Sequence, residues 1–154
     1  MQINLLCVGK LKETFYTAAQ AEYQKRLKAF CKLSVAEVAE ESALGTPLLQ
    51  TGKEGQKLLA RLTGKEHLLL LDVAGQKMDS PVFSAFLHAR ELAAEPLTII
   101  IGGPHGVSPE VLARANTRLS FSDMTFNHRL ARIMLYEQLY RGFSIMHNMP
   151  YHKW

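Results

Sequence analysis

Two apolar runs constrain this chain more than any other part of it. Leu68-Leu69-Leu70-Leu71-Asp72-Val73 and Leu97-Thr98-Ile99-Ile100-Ile101 are almost continuously hydrophobic instead of alternating with polar residues. A strand with that pattern is buried on both faces, as in a parallel sheet covered by helices above and below. Further strands are expected at residues 3–8, 33–38 and 118–124. Between them fall helical patterns. The first, residues 12–30, places Phe15, Ala18, Ala19, Tyr23, Leu27 and Phe30 at helical spacing. The second runs through Leu62 from an apparent capping box, Thr51-x-x-Glu54. A third, residues 81–94, follows Ser80 as N-cap with Pro81 in the first helical position. Ser108-Pro109-Glu110 repeats that signal for a short helix to about residue 115, and a long helix covers residues 129–147.

Strands alternating with helices predict an α/β fold with a mostly parallel sheet flanked by helices. With 154 residues and 47% hydrophobic content there is material for one core, so residues 1–154 are expected to form a single domain. No Pro/Gly/Ser tract, repeat or run of like charge marks a linker. The apolar start, Met1 to Gly9, is too short to span a membrane and lacks a basic leader, which predicts a cytoplasmic protein. Cys7 and Cys31 sit in apolar stretches without Cys-x-x-Cys spacing and read as core residues. In open parallel sheets ligands bind beyond the carboxyl ends of the strands. That rule selects the loops after Leu71, after Ile101 and around Phe121 to Phe126.

Gly102-Gly103-Pro104-His105-Gly106-Val107-Ser108 joins a strand to a helix. Its glycines let backbone approach a ligand and expose N–H groups, although a tight turn needing glycine for its own sake is equally consistent. The chain contains neither Gly-x-Gly-x-x-Gly nor Gly-x4-Gly-Lys-[Ser/Thr], which argues against dinucleotide binding and ATP hydrolysis. His128, His147 and His152 lack metal-ligand spacing and no cysteine lies near them, so no metal site is expected. No Gly-x-Ser-x-Gly elbow occurs, and Ser108 and Ser120 read as cap and strand residues.

Net charge is +4, modest in itself but uneven. From His128 to the end, Arg129, Arg132, Arg141, Lys153 and three histidines face a single acid, Glu137. The helix over residues 129–147 is apolar almost all round, and one sheet covers one face, so a second copy of the chain is the expected cover. Glu137 has Arg141 four residues on as its local partner, and a solvated pair without function remains an open alternative. The ending Pro150-Tyr151-His152-Lys153-Trp154 combines aromatics for base stacking with cations for phosphate, or else anchors the terminus by hydrophobic contact.

Four blocks, taken in order, resemble one family: Ile101-Gly102-Gly103-Pro104, then Leu119 to Phe126, then Glu137-Gln138-Leu139-Tyr140-Arg141, then Pro150-Tyr151-His152-Lys153. Together they are similar to the ribosomal RNA large subunit methyltransferase H family, within the SPOUT class, from Val8-Gly9-Lys10 to the tail. The resemblance implies a SPOUT α/β domain with a C-terminal trefoil knot, a homodimer, and S-adenosyl-L-methionine as cofactor. It implies methylation of N3 of pseudouridine1915 in the helix 69 loop of 23S ribosomal RNA within the ribosome. The family's cofactor pocket maps to Leu71, Gly103, Phe121, Ser122, Asp123, Met124, Thr125 and Phe126. Two departures stand out: Asn127, where the family often has proline before the histidine, and Trp154, which extends the usual ending.

Methyl transfer from a sulfonium to nitrogen is a displacement in which the cofactor supplies the difficult chemistry and the protein aligns the reactants. The acceptor N–H must lose a proton, so a base or a charge-stabilising cation is expected. His128 and His152 are the candidate bases, Arg132 and Arg141 the candidate stabilisers, and Tyr151 joins them in the acceptor-side set, with tail residues of one subunit completing the other's site. The competing expectation is a non-catalytic ribosome-binding or assembly factor of the same fold, which would gain no stability from S-adenosylmethionine. A nucleotide hydrolase is the third, opposed by the missing lysine motif.

Overall fold

The computed structural model describes all residues, 1–154. In chain order the elements are β1 (Gln2–Val8), α1 (Thr14–Leu27), β2 (Lys32–Val38), α2 (Pro47–Leu59), β3 (His67–Lys77), α3 (Ser80–Leu92), β4 (Leu97–Ile101), α4 (Pro109–Arg114), β5 (Thr117–Ser120) and α5 (His128–Met146). The strands form one sheet in the order β2-β1-β4-β3-β5, and every pairing is parallel. β4 lies at the centre with all five residues buried. Its neighbours bring Leu5 and Leu69 level with Ile99, and Leu6 and Leu70 level with Ile100. The pleat therefore splits the apolar runs into two cores. Leu5, Leu69 and Ile99 pack with Leu27 of α1, Phe83 and Leu87 of α3, and Leu135, Tyr136, Leu139 and Phe143 of α5. Leu6, Leu70 and Ile100 pack on the other face with Leu58 of α2 and Val111 of α4. Burial on both faces is why these strands carry no alternation. No helix is long and apolar enough to cross a membrane.

Several local expectations are corrected. α2 begins at Pro47, and its cap is Thr46, whose hydroxyl accepts from the Leu49 N–H at 3.3 Å. Thr51 and Glu54 lie inside the helix and are buried, so they form no capping box. A threonine directly before proline is the stronger start signal, because proline presets the first helical φ. α3 is capped by Asp79, one residue ahead of Ser80, while Ser108 caps α4 as expected. β5 stops at Ser120 instead of continuing to Met124, because the Ser122 hydroxyl accepts from the Met124 N–H at 3.0 Å and turns the chain. α1 docks through Tyr23 and Leu27, with Gln20 and Gln24 bonded to the Tyr136 hydroxyl, leaving Phe15 65% exposed. α5 is covered by more than the sheet, because α1 and α3 pack against it as well.

β3 overruns its expected end and bulges. Leu71 and Gln76 both align with Leu119, so residues 72–75 loop out of register. Gly75 permits this approach, since a Cβ there would fall 2.7 Å from the Arg118 carbonyl. Beyond β5 the chain returns across the carboxyl ends of the strands and delivers the start of α5 beside Gly9.

Candidate cofactor cavity and acceptor site

The three loops singled out by strand order converge on one cavity of about 680 Å³. Leu71, Asp72 and Val73 form one wall, residues 101–107 the second, and residues from Leu119 to Ala131 the third. The glycine turn is tight on its protein side. The Gly106 N–H donates to the Gly103 carbonyl at 3.0 Å, and a Cβ on Gly102 would sit 2.7 Å from the Gly106 oxygen. A Cβ on Gly103 would meet Val8 at 3.1 Å and Oε2 of the buried Glu54 at 3.4 Å. The need for glycine as a turn residue and its place on a cavity wall are thus one arrangement seen from two sides.

Of the eight cofactor positions expected, Leu71, Gly103, Phe121, Ser122, Met124, Thr125 and Phe126 line this cavity. Asp123 does not; its carboxylate pairs with Lys77 at the surface, tying the segment after β5 to the end of β3. Three charged wall residues, Glu40, Asp72 and Arg118, are not marked by the sequence, and Arg129, noted only for its charge, joins them. The Arg118 Nε donates to Asp72 Oδ2 at 2.7 Å, so those two largely neutralise each other. The first three carry no local signal, because each is an unremarkable charge in a strand or a connection until the fold closes.

The acceptor-side positions separate into three places. His128 stands on the cavity wall, with Nε2 3.1 Å from Oε1 of Glu40. Burial holds its pKa below the ordinary histidine value, while the Glu40 carboxylate opposes that shift. Arg132 is in the interior, not on the wall; its Nη2 lies 2.8 Å from Oε1 of Glu37, close to Cys7 and Tyr136. Burial pushes the Cys7 thiol and the Tyr136 hydroxyl each up to about 12. Arg141, Tyr151 and His152 gather around Glu137 in the middle of α5; by the rise per residue Glu137 is about 14 Å and Arg141 about 20 Å further along the helix than His128. There Arg141 Nη2 lies 2.5 Å from Glu137 Oε1, the Tyr151 hydroxyl donates to that oxygen at 3.0 Å, and Arg141 Nη1 is 3.2 Å from His152 Nδ1. The Arg141 guanidinium also lies over the Tyr151 ring, 4.7 Å from its centroid. Burial raises the Tyr151 pKa, so it stays a neutral donor. The tail is therefore anchored through Tyr151, while Trp154 is 88% exposed.

The family model described as "Predicted SPOUT methyltransferase" matches residues 1–152. The chain belongs to the SPOUT methyltransferases. Among its relatives, the ribosomal RNA large subunit methyltransferase H of Clostridium kluyveri is 42% identical over 160 residues, covering 99% of this chain and 100% of its own length. The proteins of the same name from Clostridium tetani and Ligilactobacillus salivarius are 43% and 42% identical over 159 residues, with the same coverage. Membership makes the chain a methyltransferase by family.

Proposed function

We propose that this methyltransferase uses S-adenosyl-L-methionine to methylate N3 of pseudouridine1915 in the helix 69 loop of 23S ribosomal RNA. It acts as a cytoplasmic homodimer on assembled ribosomes. The observation that carries the proposal is the single cavity in which all three loop walls meet. Its volume is within the range of small-molecule sites, roughly 300–1,000 Å³. Its lining suits the cofactor: Leu71, Phe121 and Phe126 offer apolar surface for an adenine ring, while the glycine turn and Ser122 offer backbone and hydroxyl groups. When bound, the cofactor supplies a methyl group on a positively charged sulfur, which departs as a neutral thioether. The chain's own part is to orient the acceptor nitrogen, exclude water and accept its proton.

A dimer is supported by exposed apolar residues where α1 and α5 begin. Phe15 is 65% and Leu130 40% exposed, and the two helix starts are joined by the Glu13–Arg129 pair. It is supported again by the separation of His128 from the Arg141 cluster, which one chain cannot bring to a single nucleotide. A C-terminal trefoil knot belongs to the same proposal, since the chain leaves β5 at the sheet edge and returns to seat α5 against both α1 and α3. Basic residues without sequence-reading geometry suit a shaped substrate, so assembled ribosomes should be methylated faster than naked RNA.

The test has two arms. Thermal unfolding with S-adenosylmethionine should show stabilisation of about 2.7 kcal/mol at a hundredfold excess over Kd. Thr125→Trp, which fills the cavity from an exposed wall position, should abolish it. Mass spectrometry of 23S fragments, after ribosomes are incubated with protein and labelled cofactor, should place one methyl on the helix 69 pseudouridine. Label elsewhere, or none, would sink the substrate assignment.

A further inference from the structure

One pair of ionisable groups on the cavity wall has no structural task to explain it. Nε2 of His128, the first residue of α5, and Oε1 of Glu40, in the connection after β2, approach to 3.1 Å. Both side chains line the cavity. Both facing atoms are shielded from water, yet their orientation leaves each short of an aligned hydrogen bond. A contact that served stability alone would be fully made, because an unmade buried bond costs more than the bond returns. Catalytic contacts, in contrast, are commonly loose before substrate arrives and tighten around it.

Three other parts of the chain are shaped around this contact. Gly9, after β1, has φ of +84°, and a Cβ there would lie 3.1 Å from Glu40 Oε1 and 3.6 Å from His128 Nε2. A residue without a side chain keeps that space clear. Asn127, with φ of −54°, caps α5 by accepting from the Arg129 N–H at 2.9 Å, and its non-helical backbone leads into His128 at the first position of the helix. Glu13, at the start of α1, lies 3.9 Å from Arg129, so the neighbouring cation has its own counter-charge and Glu40 is left to His128.

We propose that Glu40 is the positioning residue for His128 and that the pair receives the proton from the ring N–H of the methyl acceptor. This rests on the methyl-transfer function proposed above. Once the contact tightens and Nε2–H points at the carboxylate, the Nδ1 lone pair is free to accept. The acceptor N–H bond breaks, and its electron pair forms the new N–C bond to the incoming methyl carbon. The proton passes to Nδ1, and the pair that held the methyl group stays on the departing sulfur. Burial keeps the imidazole neutral at rest, so it is ready to accept, and the carboxylate compensates the imidazolium as it forms. The charged groups facing the ring are Glu40 from the β2 side, Arg129 from its own helix and Glu13 from α1. Arg132, one turn on, is occupied by Glu37.

Glu40→Gln keeps the shape and removes the charge. In the cofactor-free protein, the His128 ring followed by NMR should titrate about one pH unit lower in this variant, as expected on losing a close opposite charge. Glu40→Asp should recover part of the difference. In single-turnover methylation of ribosomes, Glu40→Gln should shift the acid limb of the rate profile the same way and lower the plateau roughly tenfold or more. In a His128→Gln background the same change should have no further effect on rate. An active wild type whose His128 titration ignores Glu40→Gln overturns the pairing. A shifted titration with an unmoved rate profile overturns the proton role. A wild type that binds cofactor but transfers no methyl group to ribosomes overturns the proposed function and the proton step together, while the titration still reports on the pairing.

Discussion

Gly102 is required by the close approach of Gly106 and Val107. Its Cβ position is 2.7 Å from the backbone oxygen of Gly106, an atom that cannot swing aside as a flexible side chain would. Gly102→Ala should therefore cost about 1–3 kcal/mol in urea unfolding and weaken S-adenosylmethionine binding along with it. A variant within about 0.5 kcal/mol of wild type would show that the turn has room to relax. Glu54, behind the same turn, gives a pH prediction. Burial raises its pKa above the ordinary glutamate value, with the Glu41 N–H, donated at 3.0 Å, opposing. A raised folded pKa means the folded chain binds this proton more tightly than the unfolded one. Its contribution to stability is therefore full below the unfolded value and is lost as pH rises through the folded one. Glu54→Gln keeps an oxygen to accept from Glu41 and does not titrate. Urea midpoints at pH 5 and pH 8 should accordingly favour the variant more at pH 8. A larger advantage at pH 5 would reverse the assigned sign. The glycines of this turn were legible in the sequence because backbone demands are local. Glu54 and Glu40 were not, since a buried carboxylate and a histidine partner are made by tertiary closure.

Helix ends show where local signals suffice and where they compete. Ser108-Pro109 marked the start of α4 correctly, yet Thr51-x-x-Glu54 mimicked a cap inside α2, and the true cap at Thr46 stood before a proline. Thr46→Ala should cost about 1 kcal/mol, the usual worth of an N-cap bond, measured by urea unfolding. The strands were readable because continuous apolar runs have few alternatives, whereas the bulge in β3 depends on Gly75 meeting a distant strand. The start of α5 also resolves the departure at Asn127. That residue already has φ of −54°, within reach of proline, and its side chain caps the helix. Asn127→Pro would lose a cap worth about 1 kcal/mol and regain about 0.4–1 kcal/mol from a stiffer unfolded chain. The net change should be under about 1 kcal/mol by the same unfolding assay, leaving the His128 position intact. A loss of about 2 kcal/mol or more would mean that the backbone at Asn127 is not proline-compatible.

At the scale of the molecule, the cavity borders the start of α5 and the basic tail packs beyond its middle, a separation that bears on the proposed dimer. His128 lines the cavity of its own chain, while Arg141, Tyr151 and His152 are held at Glu137, about 14 Å further along the helix, with Arg141 about 20 Å on. If both groups act on one nucleotide, two chains must contribute to each site, so a monomer would be inert however well it binds cofactor. Loss at either end should then be complemented between subunits. His128→Asn and Arg141→Ala homodimers should each be poorly active. Equal mixing with free exchange makes about half of the dimers mixed. Each mixed dimer carries one site with both groups intact, so activity should recover to about one quarter of wild type. Labelled ribosomal RNA would report the activity, and native mass spectrometry would verify the exchange. Proven exchange without recovery would place both groups in the same subunit's site. It would then require α5 or the tail to move far from the Glu137 cluster, a rearrangement that the Tyr151 hydroxyl and Arg141 contacts oppose.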